Sequence, residues 1–237
     1  MDDAHAYYGA WPHTAEALIS HEQFAHLHEL GIDKVCLCST KALFVNSRAG
    51  NEELLRFTHR HQRLLPVLVL PHGLEDKGNL TEYLERNVRL FRAAEDWSSA
   101  MDTRLRPWFE RLSEHQCTVY ITYRDEIRTA ILALAKQYPN LKILLIGVNY
   151  PQLVGAMNVL EKADNTFLEL STFQLCDGIR FLCDHLGPRR LVFGTNAPLY
   201  TPESAILKLE KALIDESSRR LIAQENLRGL LEADNDR

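Results

Sequence analysis

No stretch of the 237-residue chain approaches the roughly 20 consecutive apolar residues that a membrane helix needs, and the opening Met1-Asp2-Asp3 is acidic where a signal peptide would be basic. A cytoplasmic protein without membrane contact is the expectation. Grouped cations are lacking too. The formal net charge is -5 and both signs are mixed along the chain, which excludes the clustered lysine and arginine that nucleic-acid binding requires. The phosphate-binding fingerprint GxGxxG does not occur, and no linker rich in Gly, Pro or Ser divides the chain. Cysteine is sparse and odd in number: Cys36, Cys38, Cys117, Cys176 and Cys183. In a chain long enough to fold without covalent staples, these read as reduced thiols. Cys36 and Cys38 share one face of an apolar strand, where buried packing outweighs a CxC metal or redox pair.

What remains is ordinary globular material. With 46% hydrophobic and 25% charged residues, one autonomously folding domain over residues 1–237 is expected. Short β-branched or Leu-rich runs alternate with helical periodicity to the end, a pattern of βα units around a parallel sheet. Strands are read at Ala4–Tyr8, Lys34–Cys38, Leu65–Leu70, Asn87–Phe91, Thr118–Thr122, Lys142–Ile146, Thr166–Leu170 and Leu191–Phe193. Between them, Ser20 with Gln23 forms a capping box and Gly31 supplies a helix stop. Leu105, Trp108, Phe109 and Leu112 make one apolar helix face within Asp102–His115, and Ile127, Ile131 and Leu134 make another. Thr201-Pro202 starts a late helix, and an extra helix at about 216–231 closes the chain. Eight such units form either a closed (β/α)8 barrel or an open doubly wound sheet.

In both arrangements ligands bind at the carboxyl ends of the strands. The residues there include His5, Tyr7 and Tyr8, then His72, Arg89 and Arg92, Tyr123, Asn149, Glu169 and Ser171, and Thr195 and Asn196. Two of these clusters carry a resemblance. Asp3-Ala4-His5-Ala6-Tyr7-Tyr8-Gly9 resembles the DxHxHxG opening of amidohydrolase-related proteins, and Phe193-Gly194-Thr195-Asn196-Ala197-Pro198 resembles their closing FGTDxP. Tyr138-Pro139-Asn140-Leu141 and Glu169-Leu170-Ser171 are similar to what these proteins carry between the two. The resemblance covers nearly the whole chain and implies a (β/α)8 TIM barrel.

It also implies a divalent metal that activates water, held by the opening HxH, a His after the fifth strand, often a His after the sixth, and the closing Asp. Here only His5 matches a family ligand. The other positions hold Tyr7, Thr122-Tyr123, Gly147-Val148-Asn149 and Asn196. An amide in place of a carboxylate loses both a charge and a base. No cofactor is therefore expected beyond, at most, a weakly held divalent metal such as zinc.

The candidate catalytic residues are His5, Glu169 and Asn196, and the candidate substrate-binding residues are Tyr7, His72, Arg89, Tyr123 and Asn149. Each also has a structural reading. His5 fits a hydrogen-bonded relic of the family site, Arg89 and Glu169 fit an internal ion pair, and His72 fits a solvated loop residue. Tyr7, Tyr8 and Trp11 fit packing at the barrel rim, and His26 and His28 lie on different helix faces, which disfavours a shared metal.

Two functions stay open. One is a divergent hydrolase or decarboxylase of a small polar or carboxylated substrate, with Glu169 as its acid–base carboxylate. The other is a pseudoenzyme, a barrel kept as a small-molecule-binding or assembly module and read by Arg89, Tyr123 and Asn149. Proteins resembling this family often form homo-oligomers, but no exposed helix face here marks a patch.

Overall fold

A computed structural model describes residues 1–12, 17–18, 21–71, 79–94, 97 and 105–232. Eight parallel strands pair in sequence order. They are β1 (Asp2–Ala10), β2 (Lys34–Ser39), β3 (Leu64–Val69), β4 (Leu90–Arg92), β5 (Thr118–Thr122), β6 (Lys142–Ile146), β7 (Thr166–Glu169) and β8 (Leu191–Val192). A further pair, Ala17–Leu18, lies antiparallel against Gly9 and Ala10.

The ring closes where the segment after β8 meets β1. Ala4 N donates to Phe193 O at 3.0 Å, Tyr7 N to Ala197 O at 2.9 Å, and Asn196 N to His5 O at 2.7 Å. This is the expected (β/α)8 barrel, and the doubly wound alternative falls with the closure.

Strand side chains alternate between two cores, as the period of two requires. Cys36, Cys38, Val67, Val69, Leu90, Tyr120, Leu144, Ile146 and Val192 fill the barrel. Leu37, Leu68, Phe91, Val119, Ile121, Ile143 and Leu145 face the surrounding helices. All five cysteines are free thiols, and Cys36 and Cys38 are buried. Burial pushes the Cys36 thiol well above its ordinary range, as an inert packing residue requires.

Helix ends set where strands begin. Gly31, with φ at +83°, follows the helix His21–Glu29. Its N–H bonds His28 O while Ile32 N bonds Leu27 O, a Schellman stop. Ser20 lies outside the described residues, as do Asp102 and the start expected there for the helix observed at Arg106–Glu114.

The amino-terminal end of the barrel is plugged by a continuous helical stretch made of Glu216–Arg220, a π-helical Leu221–Glu225 and Asn226–Leu231. Leu227 and Leu230 enter the barrel core. The π-turn leaves Ile222 O to accept from Phe193 N at 3.0 Å, anchoring the closing segment.

One strand is displaced from its expected place. The sequence places a strand at Asn87–Phe91, but β4 runs Leu90–Arg92. Asn87 sits at φ +59°, with Asn87 N on Leu84 O and Val88 N on Tyr83 O, the same stop that Gly31 makes. The chain is still turning where the strand was expected to start.

Candidate active site

At the carboxyl end of β7, Glu169 is fully buried. Its Oε1 accepts from Ser171 N at 2.5 Å, and its Oε2 accepts from Ser171 Oγ at 2.8 Å while facing His5 Nδ1 at 3.2 Å. The closing segment is shaped around this carboxylate: a Cβ on Gly194 would lie 2.1 Å from Glu169 Oε1. Lys208 ties down the following loop, donating from Nζ to Leu170 O, Ser171 O and Phe173 O at 2.5, 3.2 and 3.0 Å. Burial lowers its pKa. Sequence reading did not single out Lys208, because its partners are backbone carbonyls 35 to 38 residues away.

From β1, His5 and Tyr7 both point into the basin. His5 Nε2 lies 3.1 Å from Tyr7 Oη. Arg92, the last residue of β4 and only 2% exposed, completes the group. Its Nη1 reaches His5 Nε2 at 3.3 Å, and its Nη2 reaches Tyr7 Oη at 3.2 Å and Thr122 Oγ1 at 3.4 Å. The guanidinium carbon stands 5.2 Å from the Tyr7 ring centre.

A guanidinium can only donate, so His5 Nε2 accepts and Nδ1–H donates to Glu169. The imidazole is thus fixed in one tautomer between a buried cation and a buried anion. Tyr7 also packs edge-on against Trp11 at 5.5 Å, and Trp11 against Phe44 at 5.2 Å, extending an aromatic wall to the surface.

Asp3 binds the two family motifs together. Its Oδ1 accepts from His5 N at 3.0 Å and Thr195 N at 2.9 Å, and its Oδ2 accepts from Thr195 Oγ1 at 2.5 Å. Burial nevertheless pushes the carboxyl up to about 7, with the bonds from Thr195 and His5 offsetting part of the cost. Asn196, at φ +57°, is buried, and its Oδ1 finds no hydrogen-bond partner among the described residues.

The other expected residues lie elsewhere. Arg89 precedes β4 and donates to Leu84 O and Val88 O, at the opposite end of the barrel. The proposed Arg89–Glu169 ion pair is therefore replaced by the chain Arg92–His5–Glu169. Reading Asn87 as a helix stop would have moved the strand and put Arg92 at its end. Tyr123 is one residue past the inward-facing Thr122 and turns outward. Its hydroxyl donates to Asp125 Oδ1 at 2.8 Å and fills the space left by Gly155, where a Cβ would lie 2.2 Å away. Asn149 is exposed and opens the short turn Tyr150–Gln152. His72 lies outside the described residues.

Among the described residues no three of His, Cys, Asp and Glu gather in a geometry that could hold a metal ion. Among the described residues His5 is the one imidazole in the basin. Tyr7, Thr122 and Asn196 offer neutral oxygens, and both Glu169 oxygens already accept hydrogen bonds. The His5 nitrogen that faces the basin accepts from a cation. The donors among the described residues do not by themselves make a tight divalent-metal site.

A family model described as Amidohydrolase matches residues 51–231, most of the chain. No curated protein sequence matches it. Among solved structures, a 2,6-dihydroxybenzoate decarboxylase from Rhizobium superposes with TM-score 0.75 at 16% identity, covering 98% of this chain and 99% of that one. A probable 2-pyrone-4,6-dicarboxylic acid hydrolase from Acinetobacter baumannii, with citric acid bound, gives 0.72 at 13% identity over 97% and 98%. A dihydroxybenzoic acid decarboxylase from Polaromonas, with bound manganese and the inhibitor 2-nitroresorcinol, gives 0.68 at 16% over 90% and 86%. At such identities the superpositions establish a shared fold.

Proposed function

Since this chain belongs to the amidohydrolase family, we propose that it is a divergent hydrolase or decarboxylase acting on a small carboxylated molecule at the carboxyl ends of its barrel strands. The observation that carries this reading is the buried contact of 3.2 Å between His5 Nδ1 and Glu169 Oε2. A carboxylate that holds one ring nitrogen aims the other at the substrate, the arrangement in which histidine exchanges protons efficiently.

In this reading His5 is the catalytic acid–base group, and Glu169 is a positioning residue rather than the base itself, because Ser171 and His5 already occupy its oxygens. Tyr7 and Asn196 supply neutral hydrogen-bonding groups at the rim. A divalent ion such as zinc or manganese would be held weakly, and no step is assigned to one. The substrate class is supported by the carboxylated molecules named for the solved relatives.

The test is turnover of a panel of small aromatic and aliphatic carboxylates and lactones, followed by carbon dioxide release and chromatography. Glu169→Gln should lower kcat by about a hundredfold or more while the far-ultraviolet spectrum stays native; undiminished turnover in that variant refutes the assignment. A second reading, a non-catalytic binding barrel, is favoured by how completely His5 and Glu169 are satisfied by their neighbours. Saturable thermal stabilisation by panel members with no product formed would select it.

A further inference from the structure

A cavity of about 780 Å³ opens at the amino-terminal end of the barrel, away from His5, between the carboxyl ends of the helices Ser47–Thr58 and Leu80–Glu85 and the starts of β3 and β4. That volume lies in the range that holds a small molecule. Four guanidiniums line it, those of Arg56, Arg60, Arg86 and Arg89, and no carboxylate does. They come from two separate segments of the chain, so neither segment reads as a basic run. Arg86 is answered from outside the cavity by Glu82 at 2.6 Å and Glu52 at 4.0 Å. Arg56, Arg60 and Arg89 have no carboxylate partner among the described residues. The two helix ends offer only roughly half a negative charge each, too little to answer three cations.

Arg89 is the best prepared of the three. It is half-buried, and its Nη1 is held by Leu84 O at 3.4 Å and Val88 O at 3.1 Å. Its Nε and Nη2 make no hydrogen bond among the described residues. A guanidinium fixed by one nitrogen presents that other edge as a fork, the geometry that takes two oxygens of a phosphate. Holding it in advance spares part of the ordering cost of binding. Arg56 and Arg60 stand exposed at the rim, and Leu64 and Leu231 give the cavity an apolar floor.

We propose that this cavity binds a phosphorylated small molecule with an apolar or aromatic body, of the nucleoside diphosphate kind. Arg89 receives the phosphate, Arg56 and Arg60 answer the remaining charge, and the body covers Leu64 and Leu231. Recognition is by guanidinium forks rather than by the backbone amides of a glycine-rich loop. An extended polyanion fits less well, because Glu52 and Glu82 flank the cavity beside Arg86 and would repel a strand that ran past it. The site is separate from the His5 basin, so its failure leaves the functional reading untouched.

The experiment titrates the full chain with ADP by calorimetry. Adenosine is the control without phosphate, and inorganic pyrophosphate the control without a body. ADP should bind saturably at one site, with adenosine at least about tenfold weaker and pyrophosphate between the two. Raising the salt should weaken ADP and leave adenosine nearly unchanged. Arg89→Gln should weaken ADP by about tenfold or more, and Arg60→Gln by about threefold, while turnover of any substrate found in the carboxylate panel stays at the parent level.

No saturable ADP binding, adenosine binding as tightly as ADP, or parent-like ADP affinity in both variants would each overturn the proposal. A single-stranded oligonucleotide that binds more tightly than ADP and loses affinity in Arg60→Gln would overturn it in favour of nucleic acid. Arg60 is exposed and makes no side-chain hydrogen bond or ion pair among the described residues, so its substitution tests the site even where Arg89→Gln fails to fold.

Discussion

Basic side chains at the two ends of the barrel find different kinds of partner. At the amino-terminal end, long basic side chains are spent on backbone carbonyls. Arg190 Nε donates to Thr166 O, and its Nη2 to Leu160 O, Ala163 O and Thr166 Oγ1. Lys142 donates to Gly229 O and Glu232 O, and Arg89 to Leu84 O and Val88 O. These bonds satisfy carbonyls at helix ends and loops that have no intrahelical partner. At the carboxyl end Lys208 likewise donates to backbone carbonyls, whereas Arg92 donates to the side chains of His5, Tyr7 and Thr122. A cation that caps carbonyls stabilises the fold, whereas Arg92 ties together side chains from three strands. A basic residue in a barrel is thus informative about function only once its partners are known.

Substitutions at the two ends can break that division. The largest effect is expected for Arg190→Met, which leaves several carbonyls without donors and should lower the unfolding free energy by about 3 kcal/mol in urea titrations. Turnover should be untouched; a loss of turnover without a loss of stability would erase the distinction between the ends.

Gly194→Ala comes next. Its Cβ would overlap Glu169 Oε1, so the carboxylate must shift away from His5. Overpacking should cost roughly 1–3 kcal/mol, and turnover should fall by about tenfold as the imidazole loses its orientation. Parent-like kinetics in this variant would show that the Glu169 position does not matter.

The smallest effect sharpens the comparison through pH. Asp3 has a native pKa of about 7 against 3.8 when unfolded. Between those values the folded chain holds a proton that the unfolded chain has released, so this group makes stability fall as pH rises from about 4 to 7. Melting temperature should accordingly be several degrees higher at pH 5 than at pH 8. Asp3→Asn should flatten that difference, and an equally steep profile in the variant would assign it to another group.

Much of this architecture is legible in the sequence, for local reasons. Gly31 stops a helix because only a residue comfortable at positive φ makes that turn, and it does so where expected. The strands Thr118–Thr122 and Lys142–Ile146 appear within their read boundaries, since dense apolar alternation leaves little choice of face. The opening and closing motifs were readable as the two sides of one seam. Placement of Arg92 was not, because β4 is three residues long and too short to show a period. The Asn87 turn before it also shifts the inside–outside parity that Arg89 was assigned by. Tyr123 failed for a related reason: past the last paired residue, the next side chain turns outward onto a helix that lies distant in sequence.

The sequence alone determined the βα alternation and the positions of His5 and Glu169 on inward-facing strand ends. Those properties follow from residue identity and short-range periodicity. Only the tertiary structure decided which side chains meet His5 in the basin. Arg92 is brought 87 residues along the chain to His5 by closure of the ring, and no local pattern encodes which of two nearby arginines that closure turns inward.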